Sequence, residues 1–319
     1  MSTYRVVVTD HGFPNLRHEE TVLAAAGAEL VVAQCKTPEA VIAATRDADA
    51  LLVQWAPVNA AVIAALTRCK VIIRYGIGVD NVDLAAAKAR GIPVCNVPDY
   101  GVDEVASHAV ALALALRRQL PQIDRRLRAG TWKITPDQPM PALRDSTFAT
   151  AGFGRIARAA HEMMRGFGGQ RITYDPFVGA EAMAAVGVEK VDLEQLFTRA
   201  DILSLHLPLS AETRHFVSAA RMAQMKKHAI IVNTARGPLV DTVALAAALQ
   251  AGTIAGAGLD VYEKEPIEKE HPLFACPSAL LTSHVAWYSE SSIPRLQQLA
   301  AEETVRGLRG EPLKNQVNR

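Results

Sequence analysis

The sequence predicts an α/β protein made of two doubly wound parallel-sheet domains. Three observations predict it. Short apolar runs alternate with alanine-rich helical patterns almost from end to end; strands that are apolar throughout and separated by helices form parallel sheets covered on both faces. The rhythm stops once, at a long helical stretch followed by a proline-rich link, and then resumes, as expected of two units each built around its own core. At 319 residues, one core would be near its upper size limit.

In the first series, RVVVTD (5–10), ELVVAQ (29–34), ALLVQWA (50–56), KVIIRY (70–75) and IPVCNV (92–97) read as strands, with HEETVLAAAG and NAAVIAALTR among the helices between them. Residues 101–128 read as one long helix, with Asp103 as its cap and Pro121 as a kink or break. The link TPDQPMPALRD (135–145) follows. The second series opens at TFATA (147–151) and continues through RITYD, DILSLHLP, AIIVNTA and GAGLDV to ALLTSH (279–284). The last 30 or so residues are again helical, free to pack back on the first unit. The expected division is 1–100 plus 287–319 as one domain and 101–286 as the other.

Half the residues are hydrophobic, 21% are charged and the formal net charge is +1, a globular composition without the basic excess of a nucleic-acid partner. The N-terminus lacks a basic region followed by a long apolar one, and no charge-free run is long enough to span a bilayer. Cys35, Cys69, Cys95 and Cys276 have neither CxxC spacing nor a histidine pattern, as expected of free thiols in a reducing cytoplasm. No metal site is expected.

Gly152-Phe153-Gly154-Arg155-Ile156-Ala157 follows a strand and opens a helix. Gly152 permits the tight turn, Gly154 lets the backbone approach a pyrophosphate, and Ala157 keeps helix and sheet close. The phosphates then meet unpaired N–H groups at the helix N-terminus. Asp175 ends the next strand, 21 residues after Gly154, where a carboxylate accepts from the ribose hydroxyls of NAD and repels the 2′-phosphate of NADP.

Three later segments place polar residues at strand ends: Asn233–Gly237, Leu259–Pro266 and Thr282–Tyr288. Their residue types suit hydride transfer to a 2-oxo acid. A guanidinium, Arg236, binds and polarises the carboxylate or carbonyl. An imidazole, His284, donates the proton. A carboxylate, Glu265, fixes its tautomer and keeps it charged. Taken singly, each has a structural alternative: a strand cap, a core histidine, a solvated loop charge.

These motifs resemble the D-isomer-specific 2-hydroxyacid dehydrogenase family over the whole length. RYGIGVDNVD (74–83) is similar to its substrate-carboxylate loop, and GFGRIA, YDP, LHLPLSAETRHF, NTARG, LDVYEKEP and SHVAWY match its later signatures in order. The resemblance implies two Rossmann-like domains with an active-site cleft between them, 1–100 plus 287–319 for the substrate and 101–286 for NAD. It implies Arg236, Glu265 and His284 as catalytic residues. It implies NAD contacts at Ile77, Gly152–Ile156, Asp175, Leu207, Pro208, Thr213, Thr234, Ala235, Asp260 and Trp287. It implies a substrate anchor at Arg74, Tyr75, Gly76 and Gly78, and a homodimer with the 101–128 helix in the contact. Ala149 and Asp145 depart from common family glycines, with consequences for local packing only. Glu265, in place of the glutamine of formate dehydrogenases, and Ile77, in place of the lysine of phosphite dehydrogenases, argue against those activities.

SHVAWYSE, VTDHGFP and YDPFV resemble the branch that includes the C-terminal binding proteins, transcriptional corepressors that keep the dehydrogenase fold. The alternative reading is therefore an NAD(H)-sensing interaction protein, set against the absence of a low-complexity tail or internal repeat. Trp55 and Trp287 are expected at strand ends as an apolar wall favouring a small or moderately apolar 2-oxo acid over a highly charged one. Trp132 is expected to pack, and His108 and His206 to be structural or solvated.

Overall fold

The computed structural model describes residues 4–136 and 138–319; residues 1–3 of the N-terminal segment and Asp137 of the proline-rich link lie outside the described residues. The chain forms two compact units, one up to Gly101 and again from Tyr288 onwards, the other Val102–Trp287.

In the first unit the order is β1 (Tyr4–Val8), α1 (Arg17–Ala25), β2 (Ala28–Val32), α2 (Pro38–Thr45), β3 (Ala50–Val53), α3 (Ala60–Ala65), β4 (Val71–Arg74), α4 (Leu84–Ala89) and β5 (Val94–Cys95). Helix starts are set by short polar side chains: Asn59 and Asp83 accept from the amides three residues on, Val62 and Ala86. The five strands are parallel in the order β2-β1-β3-β4-β5, the flavodoxin-like winding with a switch point between β1 and β3. Leu51, Val53, Ile72 and Val94 meet Val41, Val62, Ile63 and Leu66 in a fully buried core.

Run 92–97 yields only the two-residue β5. Its free edge is covered by the end of the chain, where Val317 N donates to Val94 O and Val94 N donates to Asn318 Oδ1.

The second unit contains α5 (Val102–Arg117), α6 (Leu120–Arg128), β6 (Thr147–Ala151), α7 (Arg155–Arg165), β7 (Gln170–Tyr174), α8 (Ala180–Ala184), β8 (Glu189–Lys190), α9 (Leu193–Arg199), β9 (Ile202–Leu205), α10 (Ala219–Met222), β10 (Ile230–Asn233), α11 (Thr242–Gln250), β11 (Gly256–Leu259) and β12 (Ala279–Leu281). The sheet runs β12-β11-β10-β9-β6-β7-β8, all parallel. That is the dinucleotide-fold order with one strand added beyond the sixth, and its switch point lies between β6 and β9. Apolar clusters cover both faces, one including Leu203, Ile231 and Leu259, the other Phe148, Ile202 and Val232 with α5. Strand β8 is exposed and polar, so no apolar run announces it.

The long helical stretch is two helices. Gln119 takes φ +52° between them, and Pro121 falls in the first turn of α6, where its missing N–H costs nothing. Asp103 is not a cap: α5 starts at Val102, which puts Asp103 and Glu104 inside the first turn, where negative charge favours the helix dipole. Trp132 does not pack either; it is 80% exposed. The last helix, α12 (Ser292–Arg309), belongs to the first unit and lies against α1, β3 and β4.

Candidate active site

The turn after β6 sits at the switch point of the second sheet. Gly152 has φ +93°, and a Cβ on it would stand 2.7 Å from His206 O, so both conformation and space demand glycine. Gly154 caps α7 with nothing within 4 Å of the place a Cβ would take. That is room for a ligand to approach the helix start. Ala157, beneath it, is fully buried. Asp175 closes the turn from the neighbouring strand end: Oδ2 accepts from Phe153 N at 2.8 Å, and Oδ1 accepts from Phe177 N and Val178 N. Phe153 has its ring buried against Met183 and Val188, so only its backbone belongs to the turn. Arg155 is exposed and Ile156 half-buried.

Three more loops carry the chemistry-bearing side chains. After β12, His284 holds φ +55°, a conformation that costs a non-glycine residue and recurs at active sites. Asp260 is what holds it. His284 N donates to Asp260 O; Val285 N and Thr282 Oγ1 donate to Asp260 Oδ1, and Ala286 N to Oδ2. Sequence reading puts Asp260 on the cofactor surface, whereas its side chain is 1% exposed and its carboxylate is spent on this loop. Trp287, half-buried, donates from its indole to His284 O at 2.9 Å, bracing the same turn.

His284 Nδ1 lies 2.6 Å from Glu265 Oε2. With a carboxylate acceptor, Nδ1 carries the proton of that bond, and Nε2 is left for a substrate. The other oxygen, Oε1, accepts from Tyr262 N at 2.9 Å. Burial pushes the Glu265 carboxyl up, but the bonds from His284 and Tyr262 N and the charges of His284 and Arg236 outweigh it, so the group is held below the usual carboxylate range. Glu265 is therefore ionised at neutral pH.

The charge of Arg236 acts on Glu265 from a loop that glycine permits. Gly237 sits directly against the Tyr262–Glu263 peptide; a Cβ there would collide with the Tyr262 carbonyl and lie 2.5 Å from Glu263 N. Asn233 fixes the same loop, its Oδ1 accepting from Ala235 N and its Nδ2 donating to Arg236 O.

Sequence reading gave Glu263 and Gly237 no roles, although both stand in quoted motifs. Glu263 Oε2 accepts from Thr242 Oγ1 at 2.7 Å, and Oε1 lies 2.7 Å from His215 Nε2. This joins the 259–266 segment to the loop after β9, which His215 N also ties to Pro238 O. Thr213 closes that β9 loop on itself, its Oγ1 donating to Pro208 O and accepting from Ser210 N, while Leu207 packs towards the core. His206 is held by Ser204 Oγ, and burial pushes it down to about 4; His108 bonds Thr282 Oγ1.

In the first unit, Arg74 ends β4 and is half-buried. Gly76 O accepts from Val97 N, and Ile77 O from Asn96 Nδ2, fixing the loop in which Gly78 lies. Trp55, just after β3, is 54% exposed. Tyr75 does not face out to a substrate: it is 2% exposed, with its hydroxyl 2.7 Å from Glu19 Oε1.

Residues 110–286 match the family model described as "D-isomer specific 2-hydroxyacid dehydrogenase, NAD binding domain". The chain belongs to the D-isomer-specific 2-hydroxyacid dehydrogenase family. It is 37% identical over 282 residues to a glyoxylate reductase of Korarchaeum cryptofilum, covering 87% of this chain and 85% of that protein. It is 39% identical over 292 residues to a D-3-phosphoglycerate dehydrogenase of Methanocaldococcus jannaschii, covering 91% of this chain but only 55% of that protein. The chain thus spans about half the length of its phosphoglycerate dehydrogenase relatives. A crystal structure of a glyoxylate reductase from Paecilomyes thermophila superimposes with TM-score 0.89 at 28% identity, covering 99% of both chains.

NAD is the family cofactor, and the residues fit a dinucleotide. Gly154 leaves an open approach to the start of α7, and Thr234, 7% exposed, has an Oγ1 with no hydrogen-bond partner among the described residues. Buried hydroxyls are rarely left so. No helix among the described residues is long and apolar enough to cross a membrane.

Proposed function

We propose that the protein reduces a small 2-oxo acid to the D-2-hydroxy acid, with Arg236, Glu265 and His284 as its catalytic residues. The observation that carries this reading is the 2.6 Å pairing of His284 Nδ1 with Glu265 Oε2, with Arg236 close enough to act on the same carboxylate.

NADH, when bound, supplies a hydride to the carbonyl carbon. The chain does the rest. Arg236 draws electron density towards the carbonyl oxygen, and His284 gives that oxygen its Nε2 proton as the C=O π bond is lost, so the product is the alcohol. Glu265 stabilises the charged imidazole before transfer and fixes the proton on Nδ1 throughout. In the oxidative direction the imidazole takes the proton back.

The backbone of Gly152–Ile156, Thr234 and the 206–213 loop are proposed to hold the dinucleotide, with Asp175 selecting NAD over NADP. Arg74 and the amides of Gly76–Gly78 are proposed to take the substrate carboxylate. The exposed indole of Trp55 favours a small or moderately apolar acid over a highly charged one. Four free thiols agree with a reducing cytoplasm, and the family resemblance with a homodimer through the 101–128 region.

The test follows NADH absorbance with glyoxylate, hydroxypyruvate, phosphohydroxypyruvate, pyruvate and longer 2-oxo acids. Turnover of at least one is expected. His284→Ala should lower kcat by roughly 10²–10⁴-fold, the usual worth of a general acid, with NADH binding retained. A protein that turns over none of the panel, or a variant of undiminished kcat, overturns the proposal.

A further inference from the structure

Tyr75 lies inside the RYG motif of the proposed carboxylate anchor, yet its side chain points into the first unit. Its hydroxyl donates to Glu19 Oε1 of α1 at 2.7 Å. The second oxygen, Oε2, accepts from Gln297 Nε2 of α12 at 3.0 Å, and the same Nε2 donates to Asn15 O at 2.7 Å. Glu19 is fully buried and Gln297 2% exposed. Phe13, also buried, meets the Tyr75 ring edge-on with centroids 5.0 Å apart. One network therefore joins the two helices packed together in this unit to the loop after β1 and the loop after β4. Both loops leave the carboxyl ends of strands, the edge of an open α/β sheet at which ligands bind.

A carboxylate is a costly way to fill such a space. Leucine would bury the same volume between α1 and α12 without desolvating a charge, and buried ionic groups often stabilise less than apolar replacements. What Glu19 supplies instead is direction: two acceptor oxygens that admit one placement of the Tyr75 hydroxyl and one of the Gln297 amide. Tyr75 is the immediate neighbour of Arg74, and its backbone N donates to Val53 O at 2.7 Å. Fixing its ring from below thus fixes the start of the loop that carries Arg74 and Gly76–Gly78.

We propose that Tyr75, Glu19 and Gln297 are positioning residues that hold the 74–78 loop and the 9–16 loop in the conformation that binds the substrate carboxylate. The inference rests on the reading of Arg74–Gly78 as the carboxylate anchor. None of the three touches substrate; they act through Arg74 and the loop amides.

The experiment compares wild type, Tyr75→Phe, Glu19→Leu, Glu19→Gln and Arg74→Ala. It uses NADH with glyoxylate, or whichever panel acid is reduced fastest, and measures KM, kcat, NADH Kd and Tm for each. Tyr75→Phe and Glu19→Leu are expected to raise KM about tenfold, the equivalent of one hydrogen bond to a charged group, with kcat and NADH Kd within threefold of wild type. Glu19→Gln keeps an acceptor for the Tyr75 hydroxyl but loses the one that takes Gln297 Nε2, so its KM should fall between those of wild type and Glu19→Leu. Arg74→Ala must raise KM at least as much as Tyr75→Phe. If its KM equals wild type, the anchor reading fails and the positioning role with it. If Arg74→Ala raises KM but Tyr75→Phe and Glu19→Leu do not, the positioning role alone is refuted. It is refuted likewise if kcat, NADH affinity and Tm all fall as KM rises, or if Glu19→Gln is as impaired as Glu19→Leu.

Discussion

Gly237→Ala tests whether the catalytic loops must touch through bare backbone. The residue precedes Pro238 with no positive φ, so alanine is conformationally admissible and the perturbation is steric. A Cβ at this position lies 2.5 Å from Glu263 N and closer still to the Tyr262 carbonyl, where ordinary contact begins at 3.4 Å. One loop must therefore retreat by roughly 1.5 Å, and displacements of even about 1 Å near the reacting groups cost about 10²-fold in rate. The loops that would part carry Arg236 on one side and Glu265 on the other. In free-energy terms a 10²-fold loss of kcat/KM is about 2.7 kcal/mol of transition-state stabilisation. Overpacking should lower folding stability by about 1–3 kcal/mol as well. The assay is steady-state turnover of the fastest panel acid, with NADH Kd from fluorescence and stability from urea unfolding. The Gly152–Gly154 turn lies on other strands, whereas Thr234 stands in the displaced loop, so NADH Kd should rise by less than kcat/KM falls. A folded variant with wild-type kcat/KM would show that Arg236 and Glu265 do not depend on this contact.

Gly154→Ala should fold almost normally, because its Cβ enters open space, yet weaken NADH binding at least about tenfold by filling the approach to the α7 amides; an unchanged Kd removes the pyrophosphate from this turn. Asp175→Ala should narrow the kcat/KM preference for NADH over NADPH by about tenfold. It should also cost about 1–3 kcal/mol of stability, since three backbone amides lose their acceptor; equal use of both cofactors by the wild type refutes the selectivity. His161, 1% exposed and bonded to Thr150 Oγ1, is pushed by burial down to about 3. It stays neutral when folded but takes a proton below its ordinary value when unfolded. Its contribution is thus complete above pH 6.5 and is lost as pH falls towards 3, reaching about 2 kcal/mol at pH 5. Urea unfolding at pH 7 and pH 5 should show a pH-dependent loss that is smaller by that amount in His161→Gln. Equal losses in the two proteins remove His161 as the source.

The break at Gln119 and the strand β8 show where local sequence misleads. Proline at a helix start and proline inside a helix look alike until the preceding backbone is known. A polar two-residue strand such as β8 pairs because its neighbour offers an edge, not because its residues prefer one. Trp132 carries no local sign that it will be left in solvent. Tyr75 and Asp260 were legible as members of the site motifs but not in their orientation. A buried partner from another element, Glu19 in one case and the 282–286 loop in the other, decides which way each side chain turns.

The alternation of strands and helices, the glycine turn at 152–154 and the guanidinium, carboxylate and imidazole at strand ends (236, 265 and 284) were legible in the chain alone. Each is written in local periodicity, in the steric needs of glycine or in side-chain chemistry. The winding order of the two sheets and the choice of α1 as the helix that α12 packs against came from the tertiary structure. The backbone contact at Gly237 and the hydrogen bonds that hold His284 in its left-handed conformation were decided there too. These depend on groups far apart in the chain that sequence spacing does not bring together, and packing and hydrogen-bond satisfaction do.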